Sequence, residues 1–442
     1  MKLIFEQVRL VDHSMDRQGS LVVEDGHIRE IYIDEGPADL AKESGAAIHI
    51  DCSGTDWVLM PAFVDLHAHF RDPGFPEKES LESASLAAAS GGFGTVVCMA
   101  NTKPVIDNLD LARQLQSRAE RLGLIDLFPV LSLSRNMEGR DTDHLEALDA
   151  KTIQGTVRLL SEDGKDVADD RILRKAFQEA RRLGLPVSSH CDWGGKEAED
   201  AKNAGLPRSI WSRLEENLAT ERVLALAAET GIHIHIAHVS TKEAVELIRK
   251  ARKGSAAQGF RLTCEATPHH LDCTEEIADQ LGPESYGRVN PPLRTAADIG
   301  ALIEAVQSGT IDAIATDHAP HTEADKTQGA PGFIGLETAF AVCYTALVLE
   351  RHISLKKLSA LMSRNPSRIL RLEDRGFLAP WARADLVLVD LNAQWTVQKD
   401  VFRSRSSNSP FIGKQLQGRV LMTIHKGNIV YDTLTNYPRR IG

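Results

Sequence analysis

The stretch Val58-Leu59-Met60-Pro61-Ala62-Phe63-Val64-Asp65-Leu66-His67-Ala68-His69-Phe70 decides the fold. It is an apolar run of strand composition that ends in His-Ala-His. An open, doubly wound α/β sheet is the main alternative, and it usually carries a glycine-rich phosphate loop directly after its first strand. Here Gly91-Gly92-Phe93-Gly94 comes before the second strand, on the wrong side for that task, and reads as a structural turn. Downstream, short apolar runs alternate with helical stretches rich in Ala, Leu, Glu, Lys and Arg. The candidate strands are 58–70, 95–101, 125–133, 155–160, 185–190, 233–239, 261–266 and 312–317. Helical patterns between them include 81–90, 109–122, 171–183, 215–230, 242–253 and 297–308. Buried strands alternating with helices imply a parallel sheet, and this number of β–α units fits an α/β (β/α)8 barrel of the TIM type.

Both ends of the chain read differently. Leu21-Val22-Val23-Glu24-Asp25-Gly26-His27-Ile28 has the form of a hairpin with an Asp-Gly turn, and His425-Lys426-Gly427-Asn428-Ile429-Val430-Tyr431 supplies a second hairpin signal. Segments 384–390 and 420–424 are also strand-like. The expected organisation is a barrel over 59–375 and one small β-sandwich built from 1–58 and 376–442.

The 442 residues are 42% hydrophobic and 26% charged, the balance of an ordinary soluble protein with a large core. The formal net charge of -11 and the lack of a long basic run argue against nucleic acid as a partner. The six cysteines form no CxxC pair and sit in apolar runs, as free thiols of a reducing compartment do. The start, Met1-Lys2-Leu3-Ile4-Phe5-Glu6, meets a charge too early for a secretory signal. No stretch is apolar for the ~18 residues a membrane span needs. The expected location is the cytoplasm, away from membranes.

Reactive groups in such a barrel gather at the C-terminal ends of the strands. His67 and His69 end the first, and their i, i+2 spacing puts both imidazoles on one face. Asp163 follows the fourth, His190 ends the fifth, His238 the sixth and Asp317 the eighth. Imidazole and carboxylate donors without thiolates suit two divalent ions bridged by one carboxylate, with zinc favoured. His233 and His235 fall on the face opposite His238 and read as packing or surface residues. His269, His270 and His318 sit near these residues without a settled role, and orienting the ligands is one that fits them.

Asp65-Leu66-His67-Ala68-His69-Phe70-Arg71-Asp72-Pro73-Gly74 and Ala315-Thr316-Asp317-His318-Ala319-Pro320-His321 resemble signatures of the dihydroorotases of the amidohydrolase superfamily. The resemblance continues, in order, through 99–102, 267–270, 290–294, 335–338 and 408–411. It implies a metal-bearing barrel with a β-sandwich drawn from both termini. It also implies one zinc on His67, His69 and Asp317, a second on His190 and His238, and Asp163 as the bridge. Arg71, Asn101 and His321 would then hold a substrate carboxylate, with His69 also beside the substrate. Asn290 and the backbone at Pro331 and Gly332 would contact its ring.

Ala100 departs from a usual proline, and Glu162 stands beside Asp163 as a second acid. Asp163 is the expected ligand because it directly precedes Gly164. Other members bridge through a carboxylated lysine, but Lys165 is not at the matching position. The implied reaction is reversible opening of dihydroorotate to N-carbamoyl-aspartate in pyrimidine biosynthesis, by a metal-bridged hydroxide with Asp317 as base and then acid. The resemblance suggests a homodimer and, as a further partner, aspartate transcarbamoylase. The competing readings are another cyclic amidase, such as a hydantoinase or allantoinase, or an inactive relative serving aspartate transcarbamoylase. No matched ligand is missing, which disfavours the last. The glycine-bearing segment 317–335 is expected to be mobile and to close over the substrate.

Overall fold

The computed structural model describes residues 1–34, 47–255, 257–434 and 440–441. Its strands, in chain order, are β1 Lys2–Val11, β2 Asp16–Glu24, β3 His27–Ile33, β4 Ala47–Asp51, β5 Trp57–Pro61, β6 Phe63–Ala68, β7 Phe93–Cys98, β8 Asp126–Pro129 and β9 Leu160–Ser161. They continue with β10 Val187–Ser189, β11 His233–Ile236, β12 Arg261–Ala266, β13 Ala313–Ile314, β14 Leu386–Thr396, β15 Gln415–His425, β16 Asn428–Asp432 and β17 Arg440–Ile441.

The strands β6 to β13 are the parallel barrel. Strands β6-β7-β8 form one arc and β9 to β13 the other. Parallel bridges Leu131↔Leu160 and Ala68↔His318 join the arcs at both seams, so the barrel closes. The intervening helices start and stop where the local chemistry dictates. Asn108 accepts from Leu111 N, Asp169 accepts from Arg171 N, and Thr295 forms a reciprocal cap with Asp298. The left-handed glycines Gly123, Gly184 and Gly309 end the same three helices.

The expected single strand 58–70 is two strands. The first, β5, pairs antiparallel with β14 and in parallel with β1 in the nine-stranded sheet drawn from both ends of the chain. Only β6 enters the barrel. Ala62 lies between the sheet strand and the barrel strand. Periodicity could not reveal this break, because Val58, Leu59 and Met60 are buried on both faces. Val58, Met60, Val387 and Val389 face the barrel, while Trp57, Leu59, Leu386 and Leu388 pack into a second core on the far side of the sheet. Each such fully buried aliphatic side chain contributes about 1.5–3 kcal/mol.

Both hairpins form where their turn signals stand. Glu24 pairs with His27 across Asp25-Gly26, and His425 pairs with Asn428 across Lys426-Gly427. All four turn residues have positive φ, as a two-residue turn between right-twisted strands requires. The helix expected at 215–230 begins earlier, at Arg208, immediately after Pro207, which is a start signal in its own right. No helix among the described residues is long and apolar enough to cross a membrane.

Candidate metal centre and substrate pocket

β6 ends at Ala68 and carries Asp65 and His67, with His69 directly after it, and Asp317 follows three residues after the end of β13 at Ile314. Buried Asp65 ties the two segments together. Its Oδ1 accepts from the backbone of Thr316 at 2.9 Å and of His67 at 3.2 Å, and its Oδ2 accepts from Thr316 Oγ1 at 2.5 Å. His67, His69 and Asp317 are thereby brought together. Asp317 Oδ1 lies 3.1 Å from His69 Nε2 and 3.5 Å from His67 Nε2.

Asp163 occupies the centre. Its Oδ1 is 3.1 Å from His67 Nε2, 3.2 Å from His190 Nδ1 and 3.8 Å from His238 Nε2, while its Oδ2 is 3.3 Å from His69 Nε2. The neighbouring acid is turned away: Glu162 Oε2 accepts from the backbone N–H groups of Leu133 and Ser134 at 2.9 and 3.0 Å. Lys165 is exposed. Several residues here adopt left-handed backbone that side chains rarely favour: Arg71 (φ 57°), Cys191 (φ 47°), His238 (φ 31°) and Asp317 (φ 47°). Such strain gathers at functional sites, where surrounding packing enforces it.

The donors fit a pair of divalent ions. His67 Nε2 and Asp163 Oδ1 are buried without a hydrogen-bond partner, although their residues are otherwise anchored. Candidate ligand atoms of His67, His69 and Asp317, and separately of His67, Asp163 and His238, lie within 4.8 Å of one another. Burial opposes charge on Asp163, but attraction from His67 and His190 outweighs it and holds the carboxyl well below its usual range. The same opposition is won by Asp163 at His190, whose imidazole is raised to about 10. Two carboxylates among four imidazoles thus form a well of negative potential that a cation satisfies.

Partners behind the imidazoles orient them. His69 Nδ1 faces Asn101 Oδ1 at 2.9 Å, and His67 Nδ1 faces Glu265 Oε1 at 3.2 Å, which leaves each Nε2 for the centre. Glu265 was not among the expected residues. Of the two expected readings of His235, packing or surface, burial beside Glu265 supports packing. β11 stops at Ile236 and the backbone turns at His238, so strand parity does not carry across. His235 is buried and bonds Glu265 Oε2 at 3.0 Å through Nε2 and Thr263 Oγ1 at 2.9 Å through Nδ1. His233 Nε2 meets the same hydroxyl at 3.0 Å. A polar column therefore runs up the barrel interior to His67. Replacing Glu265 with Gln is expected to weaken metal retention about 10–100-fold, measured by competition with a chelator. Unchanged retention would show that His67 needs no such partner.

Above the cluster lies a cavity of about 190 Å³. Its lining includes His69, Arg71, Asn101, His190, Asn290, His321, Pro331 and Gly332 together with Asp163 and Asp317, so the chain positions expected to meet a substrate share one space. Half-buried Arg71 donates through Nε to Pro320 O at 3.2 Å, and its Nη2 lies 3.2 Å from His321 Nε2. Neutral His321 donates through Nε2 to Pro331 O at 3.0 Å and so cannot accept from Arg71, which leaves four of the five guanidinium donors free. Burial lowers the guanidinium to about 10 against the pull of Asp317 and Asp163, so it stays charged at neutral pH. Burial and Arg71 push His321 down to about 3, so that ring is neutral. Asn290 Nδ2 sits 3.0 Å from His190 Nε2 and 2.9 Å from Asp192 Oδ2.

The segment 317–335, expected to be mobile, is braced. Buried Lys326 donates to the carbonyls of Arg288, Ala330 and Gly332 at 2.8, 2.9 and 3.0 Å. Asn408 Nδ2 holds Ala319 O and Gly332 O. Gly332 has φ 136°, and a Cβ there would lie 2.6 Å from the Ala319 side chain. Gly332 thus allows a close approach that a side chain would block. Lys326→Met keeps the volume but strands three carbonyls, so we expect a loss of roughly 2–4 kcal/mol in urea unfolding. A change below 0.5 kcal/mol, the order of an ordinary surface substitution, would contradict the bracing role.

The Amidohydrolase family pattern matches residues 58–430. A dihydroorotase of Clostridium botulinum is 38% identical, covering 98% of this chain and 100% of its own. One from Pelobacter propionicus is also 38% identical, over 98% and 100%. Among solved structures, the L-hydantoinase (dihydropyrimidinase) of Arthrobacter aurescens superposes with a TM-score of 0.84 at 26% identity, covering 97% of this chain and 96% of its own. The chain belongs to the amidohydrolase family, in the dihydroorotase branch that these close relatives represent.

Proposed function

We propose that the protein catalyses the reversible ring opening of dihydroorotate to N-carbamoyl-aspartate. One observation carries the reading: a charged, half-buried arginine lines the same small cavity as the metal-ligand cluster. A carboxylate-bearing cyclic amide needs both features, and a neutral hydantoin does not need the arginine.

His67, His69 and Asp317 would hold one zinc, His190 and His238 the second, and Asp163 would serve both. When bound, these ions supply a water acidic enough to attack at neutral pH and polarise the amide carbonyl. Asp317 accepts the proton of the attacking water and returns it to the leaving ring nitrogen, so one carboxylate acts as base and then acid. Arg71 takes the substrate carboxylate in its planar fork, Asn101 offers its amide, and neutral His321 adds a donor or acceptor without competing charge. Asn290 and the braced backbone at Pro331 and Gly332 set the ring.

We further infer a cytoplasmic enzyme, since all six cysteines are buried free thiols suited to a reducing compartment. A homodimer, with or without aspartate transcarbamoylase, is the assembly proposed by family analogy. Zinc-replete protein should open dihydroorotate, followed by ultraviolet absorbance, and should turn over hydantoin and allantoin at least 100-fold more slowly, the scale set by an unpaired buried arginine. Preference for either of those neutral rings would overturn the assignment.

A further inference from the structure

A second cavity, of about 680 Å³, lies at the other end of the barrel. Arg261, which opens β12, and Asp312, just before β13, both line it, so it sits at the N-terminal ends of the strands. Thr263, midway along β12, also lines it, so about 10 Å of strand at about 3.3 Å per residue separates it from the catalytic face.

Its lining is strongly basic. Arg364, Arg368 and Arg371 join Arg261, with Asp312 and Glu373 as the acids. Asp312 is already engaged: its Oδ2 accepts from Arg252 Nη2 at 2.5 Å and from Cys264 N at 2.9 Å. Exposed Glu373 then faces four guanidinium groups, none of which has an ion-pair partner among the described residues. Arg364 and Arg368 are spaced i, i+4 and share one side of their helical segment. The Nε and Nη1 atoms of Arg364 are buried without a hydrogen-bond partner, with its guanidinium 4.7 Å from the Phe377 ring centre. Burial and the neighbouring Arg371 and Arg368 lower Arg261 against the pull of Asp312, and burial and Arg368 lower Arg364 against the pull of Asp12 and Glu373.

Four like charges around one hollow repel one another until an anion enters. Guanidinium forks match phosphate oxygens bidentately. The volume exceeds what a single inorganic phosphate fills and lies in the range of small-molecule sites. We propose that this basal cavity binds an oligophosphate, either a free polyphosphate or the phosphate tail of a nucleotide.

The test is calorimetric titration of the metal-free, full-length protein with tripolyphosphate, ATP and orthophosphate at constant ionic strength. The expected result is saturable binding of tripolyphosphate or ATP, one per chain, at least tenfold tighter than orthophosphate. ATP binding more than fivefold tighter than tripolyphosphate identifies a nucleotide tail; equal binding identifies the phosphate chain alone. The double variant Arg261→Gln with Arg368→Gln alters two exposed side chains and should weaken binding at least tenfold, with unchanged circular dichroism and unchanged ring opening of dihydroorotate. Arg71→Met, at the other end of the barrel, should leave the titration unchanged. Absence of saturable binding, or binding that survives the double substitution, overturns the proposal.

Discussion

Asp317→Asn is expected to lower kcat for dihydroorotate opening by about 10²–10⁴-fold, the scale lost when a positioned proton-transfer group is removed. The asparagine keeps the shape of the side chain and one oxygen at the position that lies 3.1 Å from His69 Nε2. It cannot accept a proton from the attacking water. Burial opposes charge on Asp317, yet His67 and His69 hold its carboxyl below the usual range, so the acid form is not its resting state. The loss should appear in both directions of the reaction, because the same carboxylate takes the proton in one and gives it in the other. Metal content, read by emission spectrometry on the same preparations, separates a lost base from a lost ligand. Variant protein that retains its metal and its wild-type rate would remove Asp317 from the proton path.

The site was legible because its residues are rare types at strand ends, where a barrel collects reactive groups. His67, His69, Asp163, His190, His238 and Asp317 each close or follow an apolar run, and the fold gathers the four histidines around Asp163 with Asp317 against His67 and His69. Glu265 escaped notice for a physical reason. It lies inside β12 and pairs with His67 across 198 positions, and no local spacing encodes that contact. The facing of His235 relative to His238 is not encoded in parity, which holds only while a strand lasts, and β11 ends two residues before His238. The choice between Glu162 and Asp163 likewise turned on a loop: the backbone N–H groups of Leu133 and Ser134 claim the glutamate. In the fold, the break between β5 and β6 was hidden by continuous burial, whereas the turns at Asp25-Gly26 and Lys426-Gly427 were visible because positive φ restricts residue choice. The bracing by Lys326 was also invisible. A lysine in a polar segment usually reaches solvent, and only the fold brings the three carbonyls to it.

Arg71→Met should reduce kcat/KM for dihydroorotate by about 10³-fold and leave the metal centre intact. The estimate follows from two charge-assisted hydrogen bonds at about 1.5–3 kcal/mol each, with tenfold for every 1.4 kcal/mol and some recovery through water. Arg71→Lys should recover part of the loss, since an ammonium restores charge without the two parallel donors of the fork. The discriminating measurement is a comparison with dihydrouracil, the same ring without the carboxylate. If Arg71 acts by holding that group, the methionine variant should turn over dihydrouracil no worse than the parent does, and the preference between the two rings should collapse. Arg71 also contacts Pro320 O and lies against His321, so a structural role would depress both substrates alike. Equal losses on the two rings would therefore assign Arg71 to holding the 317–335 segment, and the carboxylate would have to be met by Asn101 and His321 alone.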